Sequence, residues 1–330
     1  MSESRVLIIG DLHISDRYTG RHKDYLANCF DCLNMITETI KEKKVTHLFC
    51  LGDWVGIGLS EKNLRKRETL LAVMKVLQEW NKLTNDNVYS LRGNHDIGSS
   101  LTDYDLFLSL GLIKSKQQLD IGSTRFHMFD YGEENRQIKI AEDKYNIGLF
   151  HANLLIEGIT TWYRGGVGVE LSTLENLYGM SMAIAGHIHN PSPRMVATSI
   201  KDSDITLFYP GCMTRPKYEP NLWEKAFGML YKIDDLSTVA DIITFDLKPV
   251  TEIFTSTFDD KKDEEEEEET TASIDIEALT KVLDELQYYN ISGGQDYHSQ
   301  IKRVAGIDKV AADIALEYLT RVETEFKNKK

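Results

Sequence analysis

No run of about 18 consecutive apolar residues, the length a membrane-spanning helix needs, occurs in the chain. No membrane span is therefore expected. Cysteine is scarce, with four residues: Cys29, Cys32, Cys50 and Cys212. Cys29 and Cys32 form a C-x-x-C, but inside an amphipathic helical pattern. All four read as reduced core or helix residues rather than a redox pair or zinc knuckle. Met1-Ser2-Glu3-Ser4-Arg5 runs straight into a strand pattern and does not resemble a signal peptide. These absences point to a cytoplasmic protein. Gly165-Gly166-Val167-Gly168 lacks the Gly-Lys-Ser/Thr of a P-loop, which removes a nucleotide-cradling role for that loop.

Basic charge is also lacking. The net charge is −14, which argues against a protein that coats nucleic acid through a general positive surface. Part of the excess is local. Residues 259–269 hold nine acids and two lysines, a net of −7, so the remainder of the chain carries −7 as well. An acidic enzyme can still act on a polyanion when metal ions supply the positive field at the site.

At 330 residues with 42% hydrophobic content, the chain can bury a sizeable core. Val6-Leu7-Ile8-Ile9 is a strand-length apolar run that ends in Gly10-Asp11-Leu12-His13. Leu26, Cys29, Phe30, Leu33, Ile36 and Ile40 then recur at helical spacing. Val45 to Leu51 is a second strand, ending in Gly52-Asp53. Leu70, Leu71, Met74, Leu77 and Trp80 predict one face of a second helix. Val88 to Leu91 is a third strand, ending in Gly93-Asn94-His95-Asp96. Later strands are predicted at Arg125–Asp130, Tyr145–Phe150, Met182–Ala185, Phe227–Ile233 and Ala240–Phe245, with a short helix near 170–178. All six prolines fall between Pro191 and Pro249, so that part is turn-rich and reads as sheet. The β-α-β-α-β order, with polar residues at every strand end, predicts a layered α/β sheet with one site along its carboxyl edge.

The chain reads as a catalytic domain over 1–255, an acidic linker over 256–272 and a helical element over 273–330. So many like charges cannot pack, which makes the linker a solvated segment. Beyond it, Ile276, Leu279, Val282, Leu283 and Leu286 outline one amphipathic helix. Ile307, Val310, Ile314, Tyr318 and Val322 outline another.

Five stretches share a chemistry: Asp11-x-His13, Gly52-Asp53, Gly93-Asn94-His95-Asp96, His151, and Gly186-His187-Ile188-His189. Five of the nine histidines lie in them. A lone histidine at any one strand end would more often be structural. Taken alone, Gly93-Asn94 would also suit a hairpin turn. Five such coincidences instead describe a two-metal clamp for in-line attack on phosphorus. A bridging carboxylate brings two cations together and offsets their repulsion; Asp53 is the candidate. Asp11, His13 and His189 complete one metal, and Asn94, His151 and His187 the other. Mixed nitrogen and oxygen ligation without thiolate suits manganese, iron or zinc, with manganese the first expectation.

These motifs resemble the calcineurin-like metallophosphoesterases, whose pattern is D-x-H, G-D, G-N-H-[DE], H and G-H-x-H. The resemblance runs from residue 5 to about 190, and the ligand sets above follow the family's pattern motif by motif. It implies a four-layer αββα sandwich. It also implies that His95 is no ligand but contacts the phosphate and aids leaving-group departure, with Asp96 orienting it. Trp54-Val55 follows Gly52-Asp53 where SbcD-type nucleases, a group within this superfamily, usually have Leu-Phe.

Within the superfamily, the chain most resembles the SbcD-type DNA repair nucleases. Tyr209-Pro210-Gly211-Cys212-Met213-Thr214-Arg215 is similar to their Y-P-G-S-x-x-R. Glu224-Lys225-Ala226-Phe227-Gly228 is similar to their E-K-G-F, and Asp246-Leu247-Lys248-Pro249-Val250 to their closing strand. The resemblance implies DNA as substrate, with an SbcC-like coiled-coil ABC-type ATPase docked on the C-terminal helices. Those helices could instead pack on their own domain or form a homodimer. Arg17, Arg21, Trp162 and Arg215 are candidate substrate contacts, against the plainer reading of solvated basic loops and a packed tryptophan. A stand-alone metallophosphatase or small-nucleotide phosphodiesterase is the alternative function, and an inactive scaffold a third.

Overall fold

A computed structural model describes residues 3–17, 22–56, 63–98, 100–156, 168–200, 203–216 and 223–254, with backbone alone along 192–197. The expected linker at 256–272, the helical element at 273–330, and the candidates Arg21 and Trp162 lie outside the described residues.

The chain opens with β1 (Ser4–Ile9), α1 (Tyr25–Lys43), β2 (His47–Cys50), α2 (Arg67–Thr84), β3 (Val88–Ser90) and the short α3 (Asp103–Ser109). It continues with β4 (Gln118–Ile121), β5 (Thr124–Phe129), β6 (Tyr145–His151), β7 (Leu154–Leu155) and β8 (Val169–Glu170). Two 3₁₀ turns, Leu171–Thr173 and Glu175–Leu177, precede β9 (Met182–Gly186), β10 (Ser192–Ile200) and β11 (Ser203–Tyr209). β12 (Lys225–Ile233), β13 (Thr238–Asp246) and α4 (Val250–Ile253) follow.

The first sheet has the order β13-β12-β1-β2-β3, with β1, β2 and β3 mutually parallel and β12 antiparallel to β1. The second has the order β10-β11-β9-β6-β5-β4, with β5, β6, β9 and β11 parallel. Strand alternation divides the core. Leu7, Ile9, Leu48 and Cys50 face α1 and α2, where Leu33, Ile36, Leu77 and Trp80 cover them. Val6, Ile8, Phe49 and Leu51 point the other way and meet Phe126, Met128, Ile147, Leu149 and Ile184 of the second sheet. On the far side of that sheet, Phe129, Phe150, Ala183 and Ala185 pack under Leu171, Leu174 and Leu177. The layers therefore run helix, sheet, sheet, helix, as expected for the sandwich. Burial on both faces explains why Val6–Ile9 of β1 reads as an unbroken apolar run.

The fourth layer is thin among the described residues. The expected helix near 170–178 is a pair of 3₁₀ turns, and its buried leucines recur every third residue, the 3₁₀ period. α2 also differs from its expected face. Leu71 is 56% exposed, and the buried seam is Val73, Leu77, Trp80 and Thr84. Leu71 sits about 120° around the helix from Leu77. α1 behaves as its spacing predicts: the Asp24 carboxylate accepts the Ala27 N–H, and Cys29, Cys32, Leu33, Ile36 and Ile40 are buried. All four thiols are unpaired and buried, and burial pushes Cys29 up to about 12. Such thiols are inert core groups.

Candidate active site

Parallel strands deliver their carboxyl ends to one edge, and all five motifs meet there. Asp11 Oδ2, after β1, accepts the backbone N–H of His187, after β9, at 2.8 Å. His151, at the end of β6, lies against Leu51, at the end of β2. Residues from both sheets thus build one cluster.

Three of the candidate ligands sit on left-handed backbone: His13 (φ 45°), Asp53 (φ 50°) and His187 (φ 77°). Such a conformation costs a non-glycine residue about 1–3 kcal/mol and persists only where its surroundings enforce it. The enforcement is visible. The N–H groups of Leu12 and His13 both donate to the Asp53 carbonyl, at 3.2 and 2.8 Å. Gly93 lies so close that a Cβ there would sit 2.5 Å from the Asp53 nitrogen and nearer still to its Oδ1. Only glycine fits. Trp54 is fully buried; its Nε1–H donates to Ser90 Oγ at 2.6 Å and its ring packs near Trp80 and Phe107.

The two ligand sets come together around Asp53. Donor atoms of Asp11, His13 and His189 lie within 4.8 Å of one another, as do those of Asp53, His151 and His187. Asp53 Oδ2 is 3.5 Å from His13 Nε2 and 3.2 Å from His151 Nε2, between the two sets. Asn94 Oδ1 completes the second set, 3.0 Å from His151 Nε2 and 2.9 Å from His187 Nδ1. His13 Nε2 stands 2.9 Å from His189 Nε2 in the first. Backbone carbonyls orient the rings. His13 Nδ1–H donates to the Gly56 carbonyl at 2.7 Å and His151 Nδ1–H to the Leu51 carbonyl at 2.6 Å, so each turns its Nε2 inward.

The residues fit a pair of cations. Asp11 Oδ1 is buried and accepts no hydrogen bond, a carboxylate oxygen left for a ligand. Burial, with Asp53 adding to it, pushes the Asp11 carboxyl up to about 8 against the pull of His151. Burial opposes ionisation of Asp53 too, but the imidazoles of His151, His13 and His95 outweigh it and hold that carboxyl well below its usual range. His151, despite its burial, is raised to about 10 chiefly by Asp53. Burial and the neighbouring His151 press His187 down to about 4. Without metal, protons must offset the cluster's own negative charge; cations would take their place.

His95 and Asp96 occupy different positions from each other. The His95 ring is 4.9 Å from that of His13, and its backbone N–H donates to Asp53 Oδ1 at 2.8 Å. It is partly exposed, like Asn94, His187 and His189, whereas Asp11, His13, Asp53 and His151 form a buried floor. His95 also offers a nitrogen within 4.8 Å of donors on His13 and Asp53, which places it at the mouth between the sets. Asp96 departs from its expected role. Its oxygens accept the N–H groups of Asp53 (2.8 Å), Gly93 (2.9 Å) and Trp54 (3.0 Å), so it holds the turn rather than the His95 ring.

Arg215 is corrected in the same way. It is 1% exposed, and its guanidinium donates to the carbonyls of Trp223 and Lys248. It ties chain segments together beneath the site and does not face substrate. Arg17 is half-buried just beyond the first motif, its N–H on Ser15 Oγ at 3.1 Å. The Tyr209–Arg215 segment backs the first motif. The Met213 N–H donates to the Asp11 carbonyl at 2.8 Å, Cys212 N–H to the His189 carbonyl at 2.9 Å, and Thr214 Oγ1–H to the Leu12 carbonyl at 2.8 Å. Tyr25 Oη–H donates to the His13 carbonyl at 2.8 Å. Tyr25 was not singled out in the sequence because it reads as a helix-start core residue. Tyr131, whose ring is 5.7 Å from that of His187, was missed as well.

A two-sheet sandwich with paired ligand sets around one carboxylate is the architecture of a dinuclear phosphoesterase. Residues 4–191, more than half of the chain, match the family described as calcineurin-like phosphoesterase. The chain belongs to that family and is a metal-dependent phosphoesterase. No curated protein matches it. Similar solved structures include a dimetal phosphatase from Danio rerio, at 11% identity over 74% of this chain and 99% of that one, with a TM-score of 0.46. A hypothetical protein from Thermus thermophilus is 11% identical over 74% and 100%, with a TM-score of 0.41. The phosphoesterase Yfce from E. coli is 14% identical over 74% and 100%, with a TM-score of 0.32. Among the described residues no helix is long and apolar enough to cross a membrane.

Proposed function

We propose that this phosphoesterase is a DNA nuclease of the SbcD type, a phosphodiester hydrolase that works with a coiled-coil ABC-type ATPase in DNA end processing, repair or recombination. The observation that carries the reading is the placement of Tyr209-Pro210-Gly211-Cys212-Met213-Thr214-Arg215. The segment most similar to those nucleases outside the ligand motifs is the one that laces the Asp11–His13 loop from behind. A segment so engaged is under the same constraint as the ligands. The four buried, unpaired thiols support a reducing, cytoplasmic setting.

In this reading Asp11, His13, Asp53 and His189 hold one divalent ion, and Asp53, Asn94, His151 and His187 the second, with manganese the first candidate and iron or zinc next. When bound, the ions supply Lewis acidity and an activated water for in-line attack on phosphorus. The chain's own groups do the rest. The buried floor keeps bulk water from the ligands, and the carbonyl bonds hold the His13 and His151 rings with Nε2 turned inward. His95, at the open mouth, contacts the scissile phosphate and gives a proton to the leaving oxygen.

The test is incubation of the purified chain with manganese and linear duplex DNA, circular single-stranded DNA and p-nitrophenyl phosphate esters. Cutting of DNA is expected. Hydrolysis of the esters with all DNA left intact would overturn the nuclease reading in favour of a stand-alone phosphatase or small-nucleotide phosphodiesterase.

A further inference from the structure

β5 runs parallel to β6 and brings a further strand end to the catalytic edge. That end carries no metal-binding motif; the chain continues Asp130-Tyr131-Gly132. Phe126 and Phe129 on the strand are fully buried, yet Tyr131 is 45% exposed. Its ring lies 5.7 Å from that of His187 and 6.2 Å from that of His151, tilted by 45° and 66°. It therefore stands at the mouth over the second ligand set. The backbone beneath it is fixed. The Tyr131 N–H donates to the Arg92 carbonyl at 2.9 Å, and the Arg92 N–H donates to Asp130 Oδ1 at 2.9 Å. These bonds tie the Tyr131 turn to the segment that carries Asn94. Tyr145, which is 39% exposed, begins β6 and so sits at the opposite edge of the sheet. Tyr131 combines an open face, a fixed backbone and a place beside the ligands.

A flat ring held in water beside a phosphate site has one evident partner, another flat ring. Stacking tolerates any base because every base has a π-face. We propose that Tyr131 is the platform for the aromatic group joined to the scissile phosphate. Under the nuclease reading, on which this inference rests, that group is the nucleobase next to the cut. The tyrosine positions substrate through its ring and takes no part in proton transfer.

The experiment compares the intact manganese-loaded chain with Tyr131→Leu and Tyr131→Phe. The substrates are an oligodeoxynucleotide and the same strand made abasic around the cut. Tyr131→Leu is expected to raise KM roughly 5- to 150-fold on the base-bearing strand, with kcat and metal content kept. On the abasic strand Tyr131→Leu and the parent chain should agree, and Tyr131→Phe should match the parent throughout. An equal KM rise on the abasic strand, no rise on either strand, or a loss in Tyr131→Phe would overturn the proposal. If the parent chain leaves DNA uncut, the nuclease reading fails by itself. The platform is then judged on phenyl phosphate against methyl phosphate. A KM rise in Tyr131→Leu confined to the phenyl ester upholds it, and equal effects on both esters end it.

Discussion

Asp96 Oδ2 accepts the backbone N–H of Asp53 at 2.8 Å, so the carboxylate that follows His95 in sequence fixes the residue between the two ligand sets. Three N–H groups converge on Asp96, which is 2% exposed. In Asp96→Asn one oxygen becomes an NH₂ that faces N–H donors and cannot accept from them. Whichever way the amide turns, its NH₂ opposes either the N–H groups of Asp53 and Gly93 or that of Trp54, so the turn of Asp53, already in left-handed backbone, loses part of its anchor. A fall of about 10- to 100-fold in metal affinity or turnover is expected. Metal titration with parallel rate measurement checks this; parent-like values for both would show that the contact positions nothing.

Asp53 Oδ2 lies between the two sets, 3.5 Å from His13 Nε2 and 3.2 Å from His151 Nε2. Asp53→Ala should therefore lose at least one metal per chain and abolish hydrolysis. Elemental analysis of the purified variant, dialysed without chelator, gives the readout. Two tightly held metals, or unchanged turnover, would remove Asp53 from the bridging position.

His95 separates chemistry from metal binding. Its ring is at the mouth, while the donors assigned to the ions are complete without it. His95→Ala should keep both metals and the parent melting temperature, yet cut about 10²–10⁴-fold more slowly. Its nitrogen lies within 4.8 Å of donors on His13 and Asp53, so ligation is the competing role. A variant that loses metal in proportion to activity would establish that role instead.

Much of this site is legible in the sequence. A parallel strand announces itself as an apolar run, and its carboxyl end is where ligands gather, so Asp11, Asp53, Asn94, His151 and His187 could be placed at one edge. What local pattern does not carry is the direction of a side chain within a motif. Asp96 follows His95 in the chain, but its oxygens turn back to Asp53. Long-range return was also hidden: nothing in Lys225–Ile233 says that this strand lies beside β1 in the first sheet. α3 escaped because seven residues give too little periodicity, although Thr102 and Asp105 form a capping box that marks its start. Tyr131 escaped because aromatic residues at strand ends usually belong to a core.

Two buried histidines away from the ligands set a pH dependence of folding. His22 Nε2–H donates to the Arg215 carbonyl at 2.8 Å, and His127 Nε2–H donates to Asn146 Oδ1 at 3.1 Å. Burial lowers both below the ordinary histidine value of 6.5. The unfolded chain therefore binds protons that the folded chain refuses. Stability from this source is complete above about pH 6.5 and is lost as pH falls through that value toward the depressed folded ones. The ligand histidines titrate too, so the parent chain alone does not isolate the effect. His127→Gln keeps an N–H donor for Asn146 but cannot take up a proton. Urea unfolding of the two proteins at pH 7.5 and pH 5.5, with manganese held constant, isolates the His127 part. The parent should lose more stability between the two pH values than the variant does. Equal losses would mean that His127 is protonated as readily in the folded protein as in the unfolded chain.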